Sequence, residues 1–342
     1  MFGLIRGAVE VVRRVSRRSR LYVIVGLIAT LILLGLAWAT VYYFAFKPLV
    51  EIDIPRLGAI FGEVELTSTL WWRNFIHFAY NVVIVVVVAY ISIQTLAIFS
   101  LYAREPGKYR VGGETVLKYT MWQRLQHHLL VIGLAIAAFT GIVLYQNNNP
   151  YWKTLFPLSR DTLIILHIFG GVLMGAIALL HVAYYGAQFF LALRSGVPVK
   201  QVFPVVRVVS FSGWKAAAVD NLLWLVGLKK GGSKPPAHKY AHESAVEYWL
   251  TAAGVAIIGV TGIVMALYGP KVLDGVVWVI HFKEAVLAIS ALLAGHLASV
   301  HFNPAIAPLD SSIFTGRVPL ERIREENILW YKELTGEKEV GE

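Results

Sequence analysis

The sequence predicts an all-α membrane protein with six transmembrane helices, and three observations predict it. Of 342 residues, 57% are apolar and only 15% charged, whereas about a quarter of a soluble domain is charged. Six apolar runs, 21–46, 77–102, 124–145, 162–192, 244–268 and 275–302, reach the roughly 18 residues needed to cross a hydrocarbon core of about 30 Å. Histidines stand within or beside the last five runs, although a polar side chain in hydrocarbon is costly and is rarely kept there without a task.

The first run follows Arg13, Arg14, Arg17, Arg18 and Arg20, and it contains Ala37-Trp38-Ala39, a pattern that imitates a signal peptide and its cleavage site. It continues into bulky Tyr42, Tyr43 and Phe44, so an uncleaved anchor is expected. The second run opens at His77 beside Trp71, Trp72 and Arg73, the composition of an interfacial aromatic belt. The connection 193–240 is broken by Gly196, Pro198, Pro204, Gly231-Gly232 and Pro235-Pro236. Within it, Trp214 to Leu228 is apolar but short, which predicts a helix lying along the membrane surface.

Lysine and arginine set the orientation. With the N-terminus inside, the inner segments hold 24 of the 31, which predicts that both termini are cytoplasmic in a cell membrane. The same bias towards anionic headgroups explains the net charge of +10, so nucleic acid is not an expected partner and membrane lipids are. The absence of cysteine excludes thiolate-held iron–sulfur clusters, covalent Cys-x-x-Cys-His haem and disulfides.

One internal repeat stands out. Gly133-Leu-Ala-Ile-Ala-Ala-Phe-Thr140-Gly141-Ile-Val-Leu144 matches Gly254-Val-Ala-Ile-Ile-Gly-Val-Thr261-Gly262-Ile-Val-Met265 at seven of twelve positions. Each copy leads through a short outer loop into a span carrying two histidines, His167 and His181 in one, His281 and His296 in the other. The expected division is a two-span addition over 1–117, a four-helix core of two duplicated hairpins over 118–302, and a cytoplasmic tail over 303–342.

His167 and His181 are 14 residues apart and His281 and His296 are 15 apart, which on regular α-helices is about 21–22 Å of rise within roughly 40–60° of one face. Two histidines can therefore face each other at each of two depths, His167 with His281 and His181 with His296. Such pairs predict bis-histidine haem b, an electron carrier with no open coordination position. Gly133, Gly141, Gly254 and Gly262 leave room for a flat macrocycle or, equally, for close helix contact. Arg124 stands where a haem propionate needs a cation. Glu284 can take a quinol proton or bond a neighbouring helix.

These residues carry a family resemblance. Arg124-Leu-Gln-His127-His128 with Thr140-Gly141, then His281-Phe-Lys-Glu284, His296, His301-Phe-Asn-Pro304 and Ser312-Ile-Phe-Thr-Gly316, resemble the membrane cytochrome b subunits of nickel–iron hydrogenases, formate dehydrogenases and multihaem cytochrome complexes. The pattern is similar, more distantly, to cytochrome b of bc complexes. The resemblance spans about 118–335 and implies electron transfer between quinone and a hydrogenase, molybdoenzyme or multihaem cytochrome partner.

It also leaves the inner pairing open. The bc-type arrangement joins His181 with His296 and is the first expectation; His127 and His301 then remain for a third haem. The formate dehydrogenase-type arrangement joins His127 with His296. Two rival functions, a duplicated proton-coupled transporter and a self-contained transmembrane reductase, share parts of the pattern.

Overall fold

A computed structural model describes residues 17–46, 69–110, 113–146, 148–199, 203, 205–206, 210–228, 234–306 and 309–337. Of the sequence expectations, Arg13, Arg14, Pro204 and Gly231-Gly232 lie outside the described residues. Six helices are long and apolar enough to cross a membrane. They are α1 (Arg17–Val41, continued by a π-turn Tyr42–Phe46), α2 (Thr69–Tyr102), α3 (Met121–Tyr145), α4 (Arg160–Ser195), α5 (His242–Tyr268) and α6 (Val276–Ala291). The last of these widens into a π-helix over Leu292–His301. The chain is an all-α membrane protein.

Local signals explain the helix ends. Thr120 and Gln123 form a reciprocal capping box at the start of α3. Ser159 caps α4, which ends at Gly196 in the left-handed conformation. Helix α2 starts eight residues earlier than the apolar run suggests because Trp71, Trp72 and Phe75 stack on one another in its first turns. The connection between α4 and α5 is helical over Phe211–Leu225, with a π-turn at its centre.

Helix α3 lies along α4, and α5 lies against both α4 and α6. The α3–α4 seam is tight, since a Cβ on Gly170 would meet the Ala137 nitrogen and the Gly133 oxygen, each at 2.8 Å. Helices α1 and α2 pack on the outside of α6 around fully buried Ile84, Val88, Ala37, Val41 and Ala294. Lipid takes the place of water around this bundle, so small residues and internal hydrogen bonds hold the helices together. Thr95 donates to the Ala294 carbonyl at 2.7 Å and Trp38 to Ser92 at 3.1 Å.

At the end of the bundle where α3 and α5 begin, the tail folds back over the loops. A two-stranded antiparallel sheet joins β1 (Thr115–Leu117) to β2 (Arg317–Pro319). Gly316 before it has φ +76°, and a Cβ there would collide with the Tyr119 oxygen. Arg322 bridges Asp310 at 2.7 Å and Glu326 at 2.9 Å, and Tyr102 donates to Glu326 at 3.0 Å. Burial raises both carboxyls, but the Arg322 guanidinium outweighs it and holds each below the ordinary carboxylate range. Their stabilisation is therefore full at neutral pH and is lost as the pH falls through their folded-state values. Arg322→Leu should cost about 3–5 kcal/mol by stranding two buried carboxylates. Hydrogen exchange of amides 310–335 should show the variant's tail opening at neutral pH and tightening when the carboxyls are protonated.

Candidate functional site

Two groups of histidines occupy the bundle interior. In the first, His167 on α4 faces His281 on α6 with ring centroids 6.1 Å apart. Each Nδ1 is tied down by a repeat helix. His167 Nδ1 donates to the Ala137 carbonyl at 2.9 Å and lies 3.2 Å from Thr140 Oγ1. His281 Nδ1 lies 3.0 Å from Thr261 Oγ1, which in turn lies 3.1 Å from the Ile258 carbonyl. The two threonines donate in turn to the carbonyls of Ile136 and Ile257, each at 2.6 Å. Ala137 and Ile258, like Thr140 and Thr261, are equivalent positions of the duplicated segment, so the duplication builds one imidazole holder twice.

The glycine after each threonine completes the holder. A Cβ on Gly141 would stand 3.0 Å from His167 Cε1, and one on Gly262 would stand 3.4 Å from His281 Cε1. The other two repeat glycines meet different neighbours. Gly133 approaches Met174 and Gly170 in the α3–α4 seam, and Gly254 approaches Glu284 Oε1. The space at Gly133 is filled by helix contact.

The second group lies towards the α3 N-terminus. His127 and His296 have ring centroids 6.1 Å apart. His296 Nδ1 donates to Glu247 Oε1 at 2.7 Å, and His127 Nδ1 is buried without a partner among the described residues. His301 is 6.2 Å from His296, but it sits one π-turn further on the same helix, so both project from one axis. His127 reaches across from α3. His128 stacks on Phe314 of the tail at 5.4 Å.

His181, expected opposite His296, is engaged elsewhere. Its Nδ1 donates to Gln126 Oε1 and its Nε2 accepts from the Tyr248 hydroxyl, both at 2.8 Å. The physical reason is the π-helix over Leu292–His301, which turns less per residue than the regular α-helix used to relate His281 to His296.

Both close pairs pass a simple fit test for a metal held between two imidazoles. A metal–nitrogen bond is about 2.0–2.1 Å and the nitrogen is about 1 Å from its ring centre, so opposed rings stand about 6 Å apart. Among the described residues no three His, Asp or Glu side chains converge as a protein-only metal site would require; haem iron asks two. Arg124 Nη1 bonds the Phe314 carbonyl while its Nε is buried without a partner among the described residues.

Polar groups on α2 meet α6 next to His281. Lys283, 2% exposed, donates to Asn81 Oδ1 at 2.6 Å and to the Phe44 carbonyl. Glu284 accepts from the Tyr80 hydroxyl at 3.0 Å, so it bonds a neighbouring helix, one of the two roles the sequence allowed. Sequence reasoning missed Thr140, Thr261 and Glu247 as imidazole partners. The Thr-Gly pair, identical in both repeat copies, was the available signal for the first two.

No curated protein matches the chain. The family described as prokaryotic cytochrome b561 matches residues 118–316, more than half of the chain and all of the histidine-bearing core. The chain therefore belongs to the prokaryotic cytochrome b561 family.

Proposed function

We propose that this protein is the electron-transfer subunit of a quinone-linked membrane redox complex, holding two b-type haems between His167 and His281 and between His127 and His296. The observation that carries the reading is the recurrence of one spacing, 6.1 Å between ring centroids, in two pairs at two depths. Family membership implies haem b. Bound haem supplies one-electron transfer. The chain's own residues do the rest. Thr140, Thr261, Ala137 and Glu247 hold the Nδ1 atoms of His167, His281 and His296 and thereby turn their Nε2 atoms towards the gaps between rings. The surrounding apolar helices keep water out.

His181 then has a separate use. Gln126 is 5% exposed; its Oε1 accepts from His181, and its Nε2 has no partner among the described residues. Tyr185 and Tyr248 flank the His181 ring at 4.6 and 5.6 Å. A flat ring with a carbonyl or phenol oxygen suits this setting, which supports a quinone head group binding here beside His127. The basic inner segments support cytoplasmic termini, with residues 1–117 as a two-span addition to the 118–302 core and a partner redox subunit at the outer mouth.

Pyridine haemochrome analysis of the purified chain should give two haems b. Reduction of those haems by a quinol should be lost in Gln126→Leu with haem content unchanged. One haem per chain, or indifference to quinol in the complete complex, would sink the proposal.

A further inference from the structure

The two imidazole pairs differ in what their Nδ1 atoms bond. At His167 and His281 every acceptor is neutral: a backbone carbonyl or a threonine hydroxyl. At the other pair, His296 donates to a carboxylate, Glu247 Oε1, at 2.7 Å, and His127 Nδ1 has no acceptor among the described residues. A carboxylate draws the Nδ1 proton away and gives the ring partial imidazolate character at Nε2, a change that neutral acceptors do not make and that the missing bond at His127 does not undo. An electron-rich axial ligand stabilises ferric over ferrous iron and lowers the reduction potential. The charged neighbours of His281 do not reverse this difference, because Lys283 and Glu284 are adjacent and opposite in sign.

From this asymmetry we infer that Glu247 makes the His127–His296 centre the lower-potential one, so electrons run from it towards the His167–His281 centre. The inference rests on the ligand pairs proposed above. Each transfer oxidises one ferrous centre to ferric and reduces the other from ferric to ferrous, with no bond made or broken. A quinol beside His181 is the reductant, giving two electrons in successive transfers and releasing two protons as it becomes quinone. The sink is a one-electron redox centre of a partner at the outer mouth. Glu247 is a positioning and tuning residue.

The test is a spectroelectrochemical titration of the full chain with both haems bound. Glu247→Gln should raise the midpoint of one haem and leave the other in place. Because Glu247 is half exposed and solvent tempers its field, the equilibrium between the two centres should change about tenfold, which is about 59 mV for a one-electron couple. The electron paramagnetic resonance signal of that haem should move with it. Two retained haems with unmoved midpoints would overturn the inference while leaving the ligand assignment intact.

A second comparison leaves Glu247 in place, in case glutamine there costs the haem. The His167→Ala chain, with only the Glu247-linked centre, should titrate below the His127→Ala chain, which keeps only the outer one. The reverse order would overturn the inference. Retention of both haems in His127→Ala would instead overturn the ligand assignment.

Discussion

Replacing His127 by leucine is expected to remove one of the two proposed haems from the purified chain, whereas replacing His181 by leucine leaves both. His181 commits Nδ1 to Gln126 and Nε2 to Tyr248, both at 2.8 Å, and ligating iron would require it to give up the second bond and turn towards α6. His127 already stands 6.1 Å from His296 across the bundle, and among the described residues no hydrogen bond has to be broken for it to turn a ring nitrogen into that gap. His296→Leu should remove the same haem as His127→Leu, and the double variant should lose no more than either single one. Haem per chain from the pyridine haemochrome assay reads the difference directly, two against one. A His181→Leu protein with one haem, alongside a His127→Leu protein with two, would restore the bc-type pairing.

How much of this was legible in the sequence depends on which physical signal each feature leaves. The six spans were, because the bilayer imposes a length and composition that no local detail overrides. The approach of His167 to His281 was legible as well, since the duplicated hairpin puts a histidine at the same depth of two helices that run in the same direction. The approach of His127 to His296 was legible only as one of the alternatives that the family resemblance left open. Relating His281 to His296 needs a uniform helix, and the widening of α6 over Leu292–His301 alters the rotation with a single glycine, Gly295, inside it, which is common in membrane helices and does not by itself announce a π-helix. The β1–β2 ladder is three residues on each strand, too short to leave a periodic trace. The contact between α2 and α6 joins residues about 200 apart in sequence, and only tertiary structure brings Lys283 to Asn81.

That contact should have a large effect on assembly. Lys283 is a long polar side chain closed off from solvent in the middle of the bundle, and it fastens α6 to both added helices through Asn81 Oδ1 and the Phe44 carbonyl. Lys283→Met keeps the length of the side chain but strands two acceptors in apolar surroundings. Each costs about 1–3 kcal/mol when left unmade, so a loss of about 2–6 kcal/mol is expected. Asn81 is itself fully buried and its Nδ2 has no partner among the described residues, so the cost falls on a site with no water to replace the lost donor. Removing the Asn81 acceptor as well should recover part of the loss, because burying two apolar groups costs less than burying one unmatched polar group. Lys283→Met/Asn81→Leu should therefore be more stable than Lys283→Met alone, with a coupling of about 1 kcal/mol or more in a double-mutant cycle. Thermal unfolding of the detergent-solubilised protein, followed by helix signal and by the absorbance of the haem proposed at His281, measures both legs of the cycle. Strict additivity of the two substitutions would show that Lys283 and Asn81 do not bond, and that apolar packing around Ile84 and Val88 with the Thr95–Ala294 and Tyr80–Glu284 bonds holds α2 to α6.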